Sequence, residues 1–173
     1  NFFKKSVDKC LRLCYNIHMI RKQKHIIFDI DGTIADVEHR RKFVDGSQQV
    51  DWPAFKAATV HDTPIQWVCE AAKNHVKEQD VVIFVSARNT TEKDITIKQI
   101  QEWIGIQDPI LFLRPDGDFR PDNIFKQDVL VEIREAIGQD PDLVYDDRNV
   151  VVDMWRAEGL TVNQVVDRKK GDF

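Results

Sequence analysis

From residue 25 onward, short apolar runs rich in β-branched residues alternate with longer segments whose apolar positions recur every three or four residues. Strands buried on both faces read as continuous apolar runs, and helices with one buried face read with a period near 3.6. Strands are predicted at residues 25–29, 81–85, 110–113, 143–145 and 160–166. Between them the sequence predicts helices over 64–79, 91–104, 122–137 and 149–158. Thr63, Pro64 and Gln66 read as a capping hydroxyl, a first-turn proline and a capping-box partner, and Thr91 opens the next helix. Ile97, Ile100 and Ile104 share one face of that second helix, and Gly105, Gly138 and Gly159 stand where glycine ends a helix. Strands alternating with helices point to an α/β fold built on a mainly parallel sheet flanked by helices.

The first 24 residues differ in kind. They hold Lys4, Lys5, Lys9, Arg12, Arg21, Lys22 and Lys24 against a single acid, Asp8, a local charge of +6 that leaves −10 for the rest of a chain whose total is −4. Phe3, Val7, Leu11 and Cys14 recur at helical spacing, so residues 2–16 are expected to form a basic amphipathic helix or leader ahead of a single enzyme-sized domain at 25–173. A chain of 173 residues with 42% hydrophobic content supports one core, and its net negative charge disfavours general coating of nucleic acid. The sequence has neither an 18-residue apolar stretch nor a secretory pattern, and its three cysteines lack CxxC spacing, so a cytoplasmic protein with reduced thiols and no membrane partner is expected.

Ligands of open parallel sheets bind outside the carboxyl ends of the strands. There the sequence places Asp29-Ile30-Asp31-Gly32-Thr33, Ser86-Ala87-Arg88 and Asp146-Asp147-Arg148, with Lys126 in the first turn of the helix before the fourth strand. Taken singly, an aspartate at a strand end is most often a helix cap. Converging on one edge, four acids repel one another unless a cation joins them. Carboxylates without Cys or His suit a hard, oxygen-seeking ion such as Mg²⁺, which leaves room for phosphate oxygens. A carboxylate can attack phosphorus directly, a second can move the proton, and a lysine and a hydroxyl complete the clamp.

Asp29-Ile30-Asp31-Gly32-Thr33, Ser86, Lys126 and Asp146-Asp147, in this order, resemble the four motifs of the haloacid dehalogenase superfamily, over roughly residues 25–166. The resemblance implies a Rossmann-like sheet with a small cap or flap inserted after the first strand, and a phosphatase with an aspartyl-phosphate intermediate. It makes Asp29 the nucleophile, Asp31 the general acid and base, and Thr33, Ser86 and Lys126 the phosphate-binding groups, with Lys126 also neutralising Asp29. It assigns Mg²⁺ to Asp29, the Ile30 carbonyl, Asp146 and Asp147, with Asp31 beside them in the acidic metal-binding group.

The segments from Phe112 to Asp122 and from Tyr145 to Arg156, with the terminal Gly171-Asp172-Phe173, look more narrowly like the 3′-phosphatase half of bacteriophage polynucleotide kinase-phosphatases. That likeness implies nucleic-acid 3′ ends or nucleotides as substrate, met by Arg40, Arg88, Arg114 and Arg120. Ala87 departs from the glycine usual in that family, and the absence of GxxxxGK[ST] means that the sequence carries no kinase half. Of the 54 residues between Asp31 and Ser86, helix and strand leave about 36–62 for the cap, a lid too small to enclose a metabolite. Within it, Arg40 or Arg41 with Trp52 is suited to meeting a terminal phosphate and stacking a base, and Trp52 and Phe55 are equally suited to anchoring the flap. A 5′-nucleotidase or other small-molecule phosphomonoesterase is the alternative enzyme, and a docking module built on the basic N-terminus is the alternative of another class.

Overall fold

The computed structural model describes residues 21–45 and 49–165, so the amphipathic helix predicted at 2–16 lies outside the described residues. The chain enters through β1 (His25–Phe28), passes the short β2 (Ala35–Asp36), and makes an excursion holding α1 (Glu38–Arg41), α2 (Trp52–Ala57) and a 3₁₀ turn (Ala58–His61). It returns through β3 (Thr63–Pro64) to α3 (Gln66–Lys77), β4 (Val81–Asn89) and α4 (Lys93–Ile104). The remainder is β5 (Ile110–Arg114), α5 (Asp122–Ile137), β6 (Leu143–Asp146), α6 (Asn149–Ala157) and β7 (Val162–Gln164). Five of these strands form one sheet in the order β5-β4-β1-β6-β7, each pair parallel. β2 and β3 pair antiparallel in a second, two-stranded ladder.

The twofold alternation of strand side chains divides the core between the two faces. Ile26, Phe28, Val82 and Phe84 pack with Val68, Cys69, Ala72, Ile100 and Ile104 of α3 and α4 on one side. Ile27, Ile83, Val85 and Val144 pack with Phe125, Leu130, Ile133 and Trp155 of α5 and α6 on the other. β1 is central in the sheet and helices cover both of its faces, so Ile26, Ile27 and Phe28 are all buried, which is why they read as an unbroken apolar run.

Several element ends differ from the sequence expectation, each for a local reason. Thr63 does not cap α3: it and Pro64 pair with Asp36 and Ala35, the Ile65 amide donates to the Ile34 carbonyl at 2.8 Å, and the helix begins at Gln66. Asn89, not Thr91, caps the turn before α4; its side chain accepts from the Thr91 amide at 3.0 Å while Glu92 accepts from the Asn89 amide. β4 continues past the predicted Val85 to Asn89, through a register irregularity against β5, because Ser86, Arg88 and Asn89 are polar residues buried by tertiary contacts that hydrophobic patterning does not register. Gly105 and Gly138 do end their helices, at φ +92° and +70°, where a side chain would be strained.

Phe84 is wholly buried between α3 and α4 and lies 6.3 Å from the Phe28 ring. Truncating it leaves a cavity that a close-packed core refills poorly, so Phe84→Ala is expected to cost about 3–5 kcal/mol in urea unfolding with little change in the denaturant slope. A loss below about 1 kcal/mol would contradict this packing.

Candidate active site

The carboxyl ends of β1, β4 and β6 adjoin, and the side chains leaving them form a compact polar site. Asp29 follows β1 and is fixed there by its amide, which donates to the Tyr145 carbonyl at 2.9 Å. Lys126, one turn into α5, donates to Asp29 Oδ1 at 2.7 Å and to Asp146 Oδ2 at 2.8 Å. Trp155 Nε1 of α6 donates to the same Asp146 oxygen at 3.1 Å, and the Arg148 amide to its other oxygen at 3.2 Å. Asp29, Lys126, Asp146 and Asp147 are each 5% exposed or less.

The loop after Asp29 folds back tightly. The Ile30 carbonyl accepts from the amides of Thr33, Ile34 and Ala35 at 2.9–3.1 Å, which closes the loop on itself. Gly32 has φ +84°, and a Cβ there would stand 2.2 Å from Asp147 Oδ2, so the loop can approach Asp147 only with glycine at this position. Thr33 Oγ1 is buried and has no protein hydrogen-bond partner, a cost that a phosphoryl oxygen would remove. Ser86 is also buried, and its Oγ accepts from the Arg88 amide at 3.2 Å.

Asp29, Asp146 and Asp147 present oxygens all within 4.8 Å of one another. Three carboxylates thus stand together in a place water barely reaches, and the Lys126 ammonium holds two of them, Asp29 and Asp146. Burial pushes the Asp29 carboxyl up to about 7 and the Asp147 carboxyl up to about 8, with the neighbouring aspartates adding to both. Burial works against the Lys126 ammonium, but Asp146 and Asp29 outweigh it and hold its pKa above the ordinary value. A divalent, oxygen-seeking cation fits this donor set: it needs few carboxylates and would relieve the repulsion among these three.

Asp31 is not among those three. Arg40 Nη2 donates to its Oδ1 at 2.8 Å and Arg88 Nε to the same oxygen at 2.7 Å. Burial disfavours the Asp31 charge, but Arg88 and then Arg40 more than offset it and hold the carboxyl below the usual range. Both guanidinium groups also bind Asp62, Arg40 at 2.8 Å through two nitrogens and Arg88 at 2.6 Å. Arg40 and Arg88 are at most 3% exposed, so they are walls around Asp31 rather than surface cations. Arg88 is further tied to Gln99 at 2.5 Å and Thr96 at 3.2 Å on α4.

Arg114 and Arg148 converge on Asp122 at the start of α5. Arg120 gives its carbonyl to the Arg114 guanidinium, but its own side chain turns outward, half exposed and paired with Asp118 at 2.7 Å and Asp128 at 2.6 Å. Sequence reading missed Asp62, Asp122 and Trp155. Asp62 precedes a predicted helix and looks like an ordinary turn acid, and Trp155 sits in a helical apolar stripe where nothing distinguishes an indole that donates to a carboxylate from one that merely fills space.

The raised carboxyls have a consequence for stability. Between about pH 4 and the folded values of about 7 and 8, Asp29 and Asp147 hold protons in the folded metal-free protein that the unfolded chain has already released. Asp62, raised by burial, acts in the same direction. Folding therefore binds protons in this window and stability falls as pH rises. In chelator the thermal midpoint is expected to decline from about pH 5 to about pH 8, and millimolar Mg²⁺ to restore most of the loss at the upper end. A midpoint flat across this range in chelator would refute the proton uptake described.

The family model for the polynucleotide kinase PNKP phosphatase domain matches residues 23–173. Among solved structures, a chain of the Pnkp1/Rnl/Hen1 RNA repair complex is 26% identical with a TM-score of 0.67, covering 88% of this chain and 45% of that one. A second structure of the Pnkp1/Rnl/Hen1 complex gives 28% identity and a TM-score of 0.65, covering 88% and 48%. The chain thus spans under half the length of these relatives. A phosphoserine phosphatase captured as a phospho-aspartyl intermediate analogue shares the fold, at 17% identity and a TM-score of 0.52 over 82% of this chain and 86% of that one. With a family match reaching from the first strand to the last residue, on a parallel sheet whose strands β1, β4 and β6 bring Asp29, Ser86 and Asp146 to the site beside Lys126 of α5, the chain belongs to the PNKP phosphatase-domain family of haloacid dehalogenase phosphatases.

Proposed function

We propose that this protein is a Mg²⁺-dependent phosphomonoesterase that removes 3′-phosphates from nucleic-acid ends through an aspartyl-phosphate on Asp29. The observation that carries the reading is the Asp29 carboxylate fixed by Lys126 at 2.7 Å beside two further buried aspartates, with an unsatisfied Thr33 hydroxyl in the adjoining loop. The polynucleotide substrate rests on the family match and on relatives that come from an RNA repair complex.

Asp29, Asp146 and Asp147 would hold the cation, whose contribution is to offset the repulsion between a carboxylate and a phosphate dianion. Thr33, Ser86 and Lys126 orient the phosphoryl group. Asp29 attacks phosphorus, an O–P bond forms, the bond to the 3′ oxygen breaks, and the leaving oxygen takes its proton from Asp31. In the second step Asp31 accepts a proton from water, the water oxygen bonds to phosphorus, and Asp29 is released with inorganic phosphate. Arg40 and Arg88 favour the ionised Asp31 that this second step uses. An arriving phosphate dianion opposes them by like-charge repulsion and brings Asp31 toward the protonated form needed first.

Phosphate release is to be measured from a 3′-phosphorylated oligonucleotide, a 5′-phosphorylated oligonucleotide and 3′- and 5′-mononucleotides, with Mg²⁺ and with chelator. The expected result is chelator-sensitive preference for 3′ ends, with Asp29→Asn lowering the rate at least about 10³-fold and abolishing acid-stable labelling of the protein by phosphate. Full activity in Asp29→Asn overturns the mechanism. Preference for 5′-mononucleotides keeps the chemistry and replaces the substrate.

A further inference from the structure

We infer that Trp52 is a stacking platform for a nucleobase of the strand whose 3′-phosphate occupies the site. The inference rests on the substrate class proposed above. Of the two aromatic residues of α2, Phe55 is the anchor: it is 8% exposed, and the Arg40 guanidinium carbon lies 4.2 Å from its ring centre. Trp52 is 54% exposed and meets Phe55 perpendicularly, at 5.7 Å and 83°. This perpendicular contact engages at most one face of the indole, and at 54% exposure Trp52 keeps a broad apolar surface in water, an arrangement that folding alone does not reward.

Its position is fixed relative to the chemistry. Trp52 touches Phe55, Phe55 covers Arg40, and Arg40 binds Asp31 at 2.8 Å. Laid end to end, these contacts put the Trp52 ring centre no more than about 14 Å from Asp31 Oδ1. That is within the reach of the terminal or next nucleotide of a strand whose end phosphate is at Asp29. The segment bearing Trp52 is also pinned. Thr59 Oγ1 donates to Glu92 at 2.9 Å, Gln99 Nε2 donates to the Thr59 carbonyl at 2.8 Å, and Asp51 caps α2 by accepting from the Ala54 amide at 2.9 Å. A rigidly held, open indole beside a polymer-end site is suited to base stacking, which is tolerant of sequence because every base offers a π face.

The test compares kcat/KM on a 3′-phosphorylated oligonucleotide with kcat/KM on p-nitrophenyl phosphate, which has no base. Trp52→Ala is expected to lower the ratio roughly 5- to 50-fold through KM, with Trp52→Phe recovering part of it. An oligonucleotide abasic at its last two positions is expected to cost the wild type a similar factor and to cost Trp52→Ala no further. The abasic arm needs no variant, so poor folding of Trp52→Ala does not spare the inference. Equal loss on both substrates assigns Trp52 to structure and overturns it, as does an unchanged ratio or a ratio preserved while the oligomeric state changes. Wild-type protein that hydrolyses small phosphomonoesters but no 3′-phosphorylated oligonucleotide overturns the proposed substrate and this inference together. Robust oligonucleotide turnover indifferent to Trp52 and to the abasic end overturns this inference alone.

Discussion

Burying the Lys126 ammonium is tolerable because Asp29 and Asp146 close on it at 2.7 and 2.8 Å. The converse holds equally, since neither carboxylate is stable in a dry site without a cation. This mutual requirement ties α5, which carries the lysine, to the ends of β1 and β6, and the Trp155 indole draws α6 into the same group. The two helices that cover one face of the sheet are therefore held by the core beneath them and also by the charges at its edge. Asp147 stands beside this group, and its approach to the loop is what forces Gly32. The acids assembled in this way form a donor set of the kind that suits a divalent, oxygen-seeking cation.

The second charge group is built differently. Arg40 and Arg88 face Asp31 and Asp62, two positive and two negative groups in close contact. Arg40 comes from the excursion between β2 and β3, Arg88 from the far end of β4, and Asp62 from the point where the excursion ends. Asp31 is thereby oriented by three separate stretches of chain. Its neighbours keep it apart from the three carboxylates beside Lys126, so two acids two residues apart in sequence face different surroundings and can take different chemical parts.

Much of the fold was legible because the strands are buried on both faces and so announce themselves as apolar runs, as in residues 26–28 and 81–85. The acids at strand ends, and the lysine in the first turn of α5 beside them, were legible because an α/β sheet puts its chemistry at that edge. What escaped was polar structure that depends on distant partners. Nothing local separates Asp62 from a turn residue, extends β4 through Ser86 and Arg88, or turns Thr63 from a cap into a strand residue; each follows from a contact 22 or more residues away. Arg40 was picked out as a substrate-facing cation, and its wholly buried place between Asp31, Asp62 and Phe55 emerges only when the chain is folded.

The short β2–β3 ladder joins the two ends of the excursion. Arg40 stands just after its start and Asp62 just at its finish, so both residues that the site takes from this stretch sit close to the clasp. The intervening chain is consequently a cassette, whose length can change without moving Asp31, at a closure cost that grows by only about 0.6 kcal/mol for each doubling. Relatives sharing the clasp and its charged pair are free to carry inserts of quite different size, and with them different surfaces beside Asp31.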